Sequence, residues 1–200
     1  MQIAKQLGFV HQRDIYTHLI LLEKEDRYNR FCAQMSDESI WRYVQSIDYQ
    51  NDGLFGVFND ELTLIGFSHI GMSRDKSKAE FAFSILAEQQ GKGLGNVLMK
   101  KAVLFAKAKG VREIQMNCLA SNQKSQHLAR KHGLTVNVAE YGEKTAILET
   151  SHQKIDNFVA HNQIILENYF ADMDMMRLIN QNFWNTLYKN NSYFSGKIKS

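Results

Sequence analysis

The chain has 200 residues, of which 44% are hydrophobic and 22% charged, and its net charge is +3. This length suffices for one buried core, and the composition excludes an intrinsically disordered chain. The mild charge, with no run of lysine or arginine, argues against a nucleic-acid-binding protein. Cys32 and Cys118 are too few for a secreted disulfide framework, which favours the cytoplasm. No stretch has the roughly 18 apolar residues that a membrane span needs, and the N-terminus lacks a signal peptide's apolar core, so no membrane association is expected.

The first half of the chain predicts strands and helices in the order β, α, α, then three strands. The run Ile15–Leu22 is rich in β-forming residues and predicts a strand, and Glu25–Gln34 predicts a helix. Ser36 is a suitable N-cap for a second helix, whose apolar stripe extends to Ile47. The three strands that follow are predicted at Leu54–Phe58, Thr63–Met72 and Ala79–Leu86. They would form an antiparallel meander.

The second half alternates between helix and strand. The predicted order is helix Leu94–Lys109, strand Glu113–Leu119, helix Asn122–His132, strand Leu134–Glu140 and strand Lys144–Glu149. The last two strands would form a hairpin with its turn at Tyr141-Gly142. The fold class is therefore α/β (α+β), with a mixed, mostly antiparallel sheet flanked by helices. After Thr150 two amphipathic helical patterns follow, and we divide the chain into a domain at 1–150 and a helical extension at 151–200 that packs on the domain or on a partner.

The most informative segment is the glycine-rich turn Gln90–Gly95, between a predicted strand and a predicted helix. Amides at a helix start have no intrahelical partner, and the helix dipole adds partial positive charge there, so the turn suits a pyrophosphate. A Walker loop is excluded because no Gly-Lys-Ser/Thr follows at the required spacing. The dinucleotide fingerprint is excluded because it needs a glycine at Asn96 or Leu98. The structural alternative is a tight strand-to-helix turn that binds nothing.

Gln90, Gly93 and Gly95 satisfy the motif Gln/Arg-x-x-Gly-x-Gly/Ala, and the sequence here resembles the GNAT superfamily of acetyl-CoA-dependent N-acetyltransferases. A second GNAT motif is Asn-x-x-Ala/Ser and a helix closing on Leu-Tyr-x-Lys-x-Gly-Phe, and the same register here contains Asn122, Ser125, Leu128, Lys131, Gly133 and Leu134. The resemblance covers about residues 53–149. It implies the GNAT fold, acetyl-CoA as co-substrate, and transfer of an acetyl group to an amine. The C-terminal helices are an appendage to this fold, because no linker rich in Gly or Ser precedes them, and the residues suggest no metal site.

The resemblance also implies where acetyl-CoA would lie. The residues expected around the pyrophosphate are Gln90, Gly91, Lys92, Gly93, Leu94 and Gly95. The backbone expected to pair with the pantetheine amides, like an added strand, belongs to Ser84, Ile85, Leu86 and Ala87. Asn122 and Ser125 would lie beside the pantetheine arm.

Positive charge near this turn has two interpretations. Lys92 would replace part of the charge that the neutral Gln90 lacks, or it is an ordinary solvated lysine. The sequence also has a local excess of basic residues, namely Lys100, Lys101, Lys107, Lys109 and Arg112. This excess either favours a polyanionic ligand or belongs to a solvated helix face.

An amine acceptor is protonated at neutral pH and needs a base before it can attack a thioester. Glu80 is the only acid in the apolar strand Ala79–Phe83. Several GNAT proteins that modify lysine carry their base at the matching position, so the resemblance implies Glu80 as general base and slightly favours a protein lysine over a small-molecule amine. A solvated surface glutamate is the alternative. His69, which alternates with Phe67, could face the acceptor cleft.

Ala129 stands where many GNAT enzymes have the tyrosine that reprotonates the CoA thiolate. Its absence leaves a second hypothesis open, a catalytically weak acyl-CoA-binding sensor that uses the C-terminal helices as a partner surface. Those helices could equally form a homodimer. Four further side chains receive no catalytic role: Cys118, His127, His132 and Tyr141.

Overall fold

The computed structural model describes residues 3–138, 143–150 and 154–195. Its strands are β1 (Lys5–Gln6), β2 (Gly53–Phe58), β3 (Leu64–Met72), β4 (Lys78–Ile85), β5 (Glu113–Leu119), β6 (Thr135–Val138) and β7 (Glu143–Glu149). Its helices are α1 (Gln12–Ile20), α2 (Lys24–Phe31), α3 (Asp37–Ser46), α4 (Leu94–Ala108), α5 (Gln123–Lys131) and α6 (Lys154–Ser195). No helix in these ranges is long and apolar enough to cross a membrane.

The strands form one mixed sheet in the order β1-β2-β3-β4-β5-β7-β6. All neighbours are antiparallel except β4 and β5, which are parallel. The predicted fold class, the meander of β2 to β4 and the β6–β7 hairpin are therefore confirmed. The predicted hairpin turn at Tyr141-Gly142 lies outside the described residues.

Strands β4 and β5 separate part-way along their length. Only residues Lys78–Glu80 of β4 pair with residues Glu113–Gln115 of β5. Strand β4 nevertheless continues to Ile85, and β5 continues to Leu119. Beyond those pairs, neither strand has a ladder partner on the side that faces the other. The sheet therefore contains an opening, lined by strand backbone, at the carboxyl ends of its two parallel strands.

Hydrophobic clusters cover both faces of the sheet. On one face α4 packs with Leu98 and Met99 against Phe55 and Phe81. On the other face the helices preceding β2 pack against the sheet through Ile15, Leu19, Ile40, Val44 and Phe67, among others. Most of these side chains are 0% exposed, so both helical layers are held by buried apolar area.

The predicted strand at Ile15–Leu22 is wrong, because this run begins inside helix α1. Its buried apolar residues are Ile15, Leu19 and Leu22, which recur at the spacing of four and three residues that aligns them on one helical face. That face packs against Phe67 of β3 in the same cluster. Burial of a helical face outweighed the strand preference of the individual side chains.

The predicted pair of C-terminal helices is one continuous helix, α6. The stretch between the two patterns contains neither glycine nor proline, so nothing interrupts the helix. Helix α6 packs along α4 and β1 and buries Ile164, Ala171 and Leu178. Lys101 of α4 is 3% exposed and pairs with Glu167 at 3.1 Å, so it does not belong to a solvated basic surface.

Candidate active site

The glycine-rich turn presents a row of free amides at the start of α4. Gly91 (φ 77°) and Gly93 (φ 82°) adopt the left-handed backbone conformation that favours glycine, and Gly93 is the N-cap of α4. A Cβ added at either position would meet nothing within 4 Å, so the space above the turn is open. Among the described residues, none accepts a hydrogen bond from the amides of residues 91–95. The turn therefore offers donors and the positive end of a helix dipole to an anion.

Gln90 is held in place by side chains from two other helices. Its Nε2 donates to Asp26 of α2 at 2.9 Å, and its Oε1 accepts from Lys124 of α5 at 3.1 Å. Lys124, which the sequence did not single out, thereby adds an exposed ammonium group beside the turn. Lys92 is also exposed, and its Nζ donates to Gln89 at 2.9 Å.

Gly95 allows α4 to approach its neighbours closely. A Cβ there would lie 3.2 Å from Leu128 of α5 and 3.3 Å from Phe83 of β4. Both contacts are tighter than ordinary van der Waals packing. The glycine thus brings the start of α4 against the strand that borders the opening in the sheet.

The backbone of β4 points alternately to β3 and to the opening. The Leu86 amide donates to the Ile65 carbonyl of β3 at 3.0 Å, so Leu86 and Ile65 form a hydrogen-bonded pair of the antiparallel ladder. By the alternation of antiparallel pairing, Phe83 and Ile85 direct their amides and carbonyls into the opening. Of the predicted set, Ile85 therefore offers its amide there, and its carbonyl accepts from Gln90 Nε2 at 3.4 Å. The Leu86 amide is already used, and Ala87 begins a short 3-10 turn.

Ser84 faces the helical layer, where its hydroxyl meets a buried histidine. Nδ1 of His18 lies 2.8 Å from the Leu64 carbonyl, so it carries the proton, and Nε2 accepts from Ser84 Oγ at 2.9 Å. Burial lowers the pKa of His18 to about 4, which keeps the ring neutral. This pair fixes β4 against α1.

Asn122 and Ser125 lie at the start of α5. Asn122 is the N-cap, and its Oδ1 accepts from the Ser125 amide at 3.0 Å. Ser125 is buried, at 8% exposed. The asparagine of the second motif thus has a local structural role as a helix cap.

A cleft of about 460 Å³ opens beside the first half of β4. It is lined by Arg30, Phe31, Cys32, Tyr43, His69, Gly71, Glu80, Phe81, Ala82 and Asn117. Glu80 is exposed in this cleft, and its Oε1 accepts from Asn117 Nδ2 at 3.2 Å. Thr145 donates to Asn117 Oδ1 at 3.1 Å, so a chain of polar contacts from β7 and β5 orients the carboxylate.

A second polar chain crosses the wall of the cleft. Asp52 Oδ2 lies 2.9 Å from Nε2 of His69, and Nδ1 of His69 lies 2.7 Å from the Tyr43 hydroxyl. Because a carboxylate can only accept, Nε2 of His69 donates to Asp52. The Tyr43 hydroxyl accepts from Arg30, so its own proton is directed to Nδ1 of His69. Burial raises the pKa of Tyr43, so the hydroxyl keeps its proton.

Arg30 brings a cation into the same cleft. Its Nη2 donates to the Tyr43 hydroxyl at 2.8 Å, and its guanidinium lies over the Phe31 ring, 4.9 Å from the centroid. Within the described ranges no carboxylate forms an ion pair with Arg30, and its buried Nε has no hydrogen-bond partner. The cleft thus holds a carboxylate, Glu80, and a cation, Arg30, that forms an ion pair with no carboxylate of the described residues.

Comparison with known proteins agrees with this arrangement. The model of the acetyltransferase (GNAT) family matches residues 18–134, which is more than half of the chain. The chain belongs to the GNAT acetyltransferase family. It is accordingly an acyltransferase, as the sequence motifs had indicated.

Three similar solved structures share the GNAT fold with this chain. The GNAT domain of S. lividans PAT has a TM-score of 0.63 at 16% identity, over 74% of this chain and 89% of that one. Spermidine N-acetyltransferase from Vibrio cholerae, in complex with CoA and spermine, has a TM-score of 0.61 at 18% identity, over 76% and 96%. A phosphinothricin acetyltransferase from Sinorhizobium meliloti, in complex with acetyl-CoA, has a TM-score of 0.57 at 15% identity, over 76% and 94%.

The residues of this GNAT protein that the sequence left without a catalytic role do not line the cleft, where the structure describes them. Ala129 is fully buried in the core. Burial raises the pKa of the Cys118 thiol, and His132 contacts Asn96 at 2.9 Å. His127 is exposed on α5, and Tyr141 is outside the described residues. In the part of the chain that the structure describes, no group of three His, Cys, Asp or Glu side chains could hold a metal ion.

Proposed function

We propose that this acyltransferase takes its acetyl group from acetyl-CoA and transfers it to an amine in the cleft beside Glu80. The observation that carries the proposal is the opening between β4 and β5, where the free amides of the glycine-rich turn follow the end of the strand whose start holds Glu80. A diphosphate would bind the amides of residues 91–95, with Lys124 and Lys92 nearby. Two of the similar structures contain CoA or acetyl-CoA, which supports the same donor here.

The pantetheine arm would occupy the opening as an added strand. Phe83 and Ile85 direct backbone donors and acceptors there, and these have no strand partner on that side. Asn122 would contact the same arm from the start of α5. The thioester would then lie near the point where β4 and β5 begin to separate, next to Glu80.

Transfer would proceed by direct attack of the amine on the thioester carbonyl. Glu80, oriented by Asn117, would take the proton from the ammonium group, and the amine lone pair would then form the new C–N bond. Backbone amides of β4 would stabilise the negative charge that develops on the carbonyl oxygen. The C–S bond would break, and the thiolate would take up, through water, the second proton that the nitrogen loses as the amide forms, since Ala129 has no proton to give.

The charges of the cleft indicate an acceptor that carries a carboxylate as well as an amine. Glu80 suits the amine, and Arg30 lacks an acidic partner among the described residues. A guanidinium that is already fixed against Phe31 and Tyr43 can bind a carboxylate with little loss of side-chain entropy. A polyamine, in contrast, would place further positive charge beside Arg30.

The test is release of CoA from acetyl-CoA with an acceptor panel of amino acids, acidic and neutral lysine peptides, and spermidine. We expect carboxylate-bearing amines to react best. Glu80→Gln should lower kcat about 100-fold, and Arg30→Gln should raise the acceptor KM about 10-fold, with the Kd for CoA unchanged in both. Glu61→Gln, which alters an exposed glutamate far from the cleft, is the control. Equal turnover in the Glu80→Gln variant and the parent would overturn the assignment of the base.

A second function is favoured by one observation, the alanine at position 129. A protein that binds acyl-CoA but turns over slowly would need the turn and the opening but no acid. Such a sensor would bind CoA like the enzyme, and no acceptor in the panel would raise CoA release above the rate of hydrolysis. Calorimetry together with the panel therefore separates the two functions.

A further inference from the structure

Helix α6 has two opposite apolar faces. One face packs on the domain through Ile164, Ala171 and Leu178, which recur every seven residues. Lys101–Glu167 at 3.1 Å and Lys5–Asp172 at 3.1 Å fix this face in place. The other face is exposed, and it carries a continuous series of large apolar side chains rather than charges.

The exposed face follows a heptad repeat. In the first core position of each heptad stand Val159, Leu166, Met173, Asn180 and Leu187, and in the second stand Asn162, Tyr169, Met176 and Phe183. Every apolar residue in this set is at least 39% exposed. Ile164, Ala171 and Leu178 occupy the heptad position opposite this seam, so contact with the domain leaves the seam accessible. A seam of this period over four heptads is the pattern of a coiled coil.

The composition of α6 argues for a protein partner and against a membrane surface. From residue 159 to residue 187 the helix has three acidic residues and one basic residue, Arg177. Helices that lie on membranes are instead rich in lysine and arginine along their polar face. The exposed face of α6 therefore lacks the cations that would attract negatively charged lipid.

The exposed area is large enough for a stable dimer. Four aromatic side chains, Tyr169, Phe170, Phe183 and Trp184, are each at least 50% exposed. An aromatic side chain buries about 150–250 Å², so these four alone would bury on the order of 400 Å² per chain. With the exposed Leu, Ile, Val and Met residues the face approaches the roughly 800 Å² per partner of a standard interface.

We infer that α6 pairs with α6 of a second copy of this chain to form a two-stranded coiled coil. In a parallel pair each seam asparagine faces its own counterpart, and in an antiparallel pair centred on residue 171 Asn180 faces Asn162 of the partner subunit. The seam amides can therefore bond to each other in either orientation, and no buried amide is left unsatisfied. The acceptor clefts, which open beside β4 and not on α6, stay accessible in the dimer.

Sedimentation equilibrium of the full chain tests this inference. The parent should have twice the mass of the 23.1 kDa chain. Met173→Glu/Met176→Glu should sediment as a monomer, with unchanged helix content, because glutamate is a good helix former. His161→Glu, on the same helix but outside the seam, should stay dimeric. A monomeric parent at about 100 μM, or a double variant that stays dimeric, would overturn the inference.

Cross-linking adds a readout that does not depend on the stability of the glutamate variant. Asn162→Cys/Asn180→Cys should form an intermolecular disulfide on oxidation, because these seam positions face themselves in a parallel pair and each other in an antiparallel pair. His161→Cys, which lies outside the seam, should form none, and the parent chain measures the cross-linking that Cys32 and Cys118 contribute. Absence of the Asn162→Cys/Asn180→Cys cross-link in a dimeric protein would exclude pairing through the seam. Both experiments are independent of CoA binding, so their failure leaves the proposed acetyl transfer unaffected.

Discussion

The Tyr43 hydroxyl lies 2.7 Å from Nδ1 of His69, and this contact joins helix α3 to the sheet at the wall of the acceptor cleft. Asp52 orients the other side of the ring, and Arg30 donates to the same hydroxyl. Four residues from separate parts of the chain thus form one polar network. The network fixes the position of Arg30 relative to the cleft.

Removal of the Tyr43 hydroxyl should weaken binding of the acceptor more than it lowers the stability of the fold. Tyr43→Phe leaves His69 and Arg30 without their shared partner, so the KM of the best acceptor should rise about 10-fold, with the Kd for CoA unchanged. Tyr49→Phe is the matched control, because Tyr49 donates to the Val44 carbonyl at 3.0 Å in the same helical layer. Each variant should lose about 1 kcal/mol of stability. An unchanged acceptor KM in Tyr43→Phe would separate the network from substrate binding.

Gly93→Ala should weaken CoA binding through the backbone of the turn. At φ 82° an alanine is strained by about 1–2 kcal/mol, and relief of this strain would rotate the amides that the diphosphate needs. Calorimetry should give a Kd about 10-fold higher. Gly133→Ala provides the comparison, since Gly133 has a similar φ of 83° and an added Cβ would have ordinary space. Gly133 follows the C-terminal end of α5 and is not part of the turn. Gly133→Ala should lose similar stability and keep its affinity for CoA. An equal loss of CoA affinity in both variants would contradict the binding of the diphosphate by the turn.

Glu167→Gln should loosen α6 from the domain. The change leaves the Lys101 ammonium, 3% exposed, without a counter-charge, and burial already lowers the pKa of Lys101. Urea unfolding at one fixed protein concentration should show a loss of about 1–3 kcal/mol. Asp174→Asn breaks an exposed ion pair with Arg177 on the same helix and should cost less than about 0.5 kcal/mol. Similar losses of stability in the two variants would show that Glu167 does not stabilise the buried ammonium group of Lys101.

His18 should make the protein less stable at mildly acidic pH. Its pKa is about 4 in the folded chain and 6.5 in the unfolded chain, so between these values only the unfolded chain takes up the proton. Stability from this group is complete above pH 6.5 and is lost as pH falls towards 4. From pH 7 to pH 5 the parent should lose about 2 kcal/mol more than His18→Gln in chemical denaturation. Parallel pH profiles of the two proteins would refute the burial of an uncharged ring.

Much of the fold could be predicted because local patterns agree with tertiary packing. Ser36 caps α3 as expected, and its Oγ accepts from the Ser39 amide at 3.1 Å. The run Ile15–Leu22 was wrongly predicted because its residue types favour strands, whereas its period of burial is helical. The C-terminal sequence predicts two helices because it contains two apolar stripes, although no residue between the stripes breaks a helix.

Local sequence patterns predict the glycine-rich turn, Glu80 and His69, but not the other polar residues that meet at the cleft. The turn Gln90–Gly95 is one contiguous segment with a distinctive spacing, whereas Arg30, Tyr43 and Asp52 meet only after three elements have packed together. No local pattern marks these three residues as neighbours. His69 was expected near the cleft because it alternates with Phe67 in a strand, and the structure places it there.

Calorimetric titration of the purified chain with CoA is the most direct test of the central claim, that free amides at the start of α4 bind a diphosphate. We predict saturable binding of one CoA per chain, with a Kd below about 1 mM that rises with salt concentration. A folded chain that releases no heat with CoA or acetyl-CoA up to several times that concentration would contradict the claim.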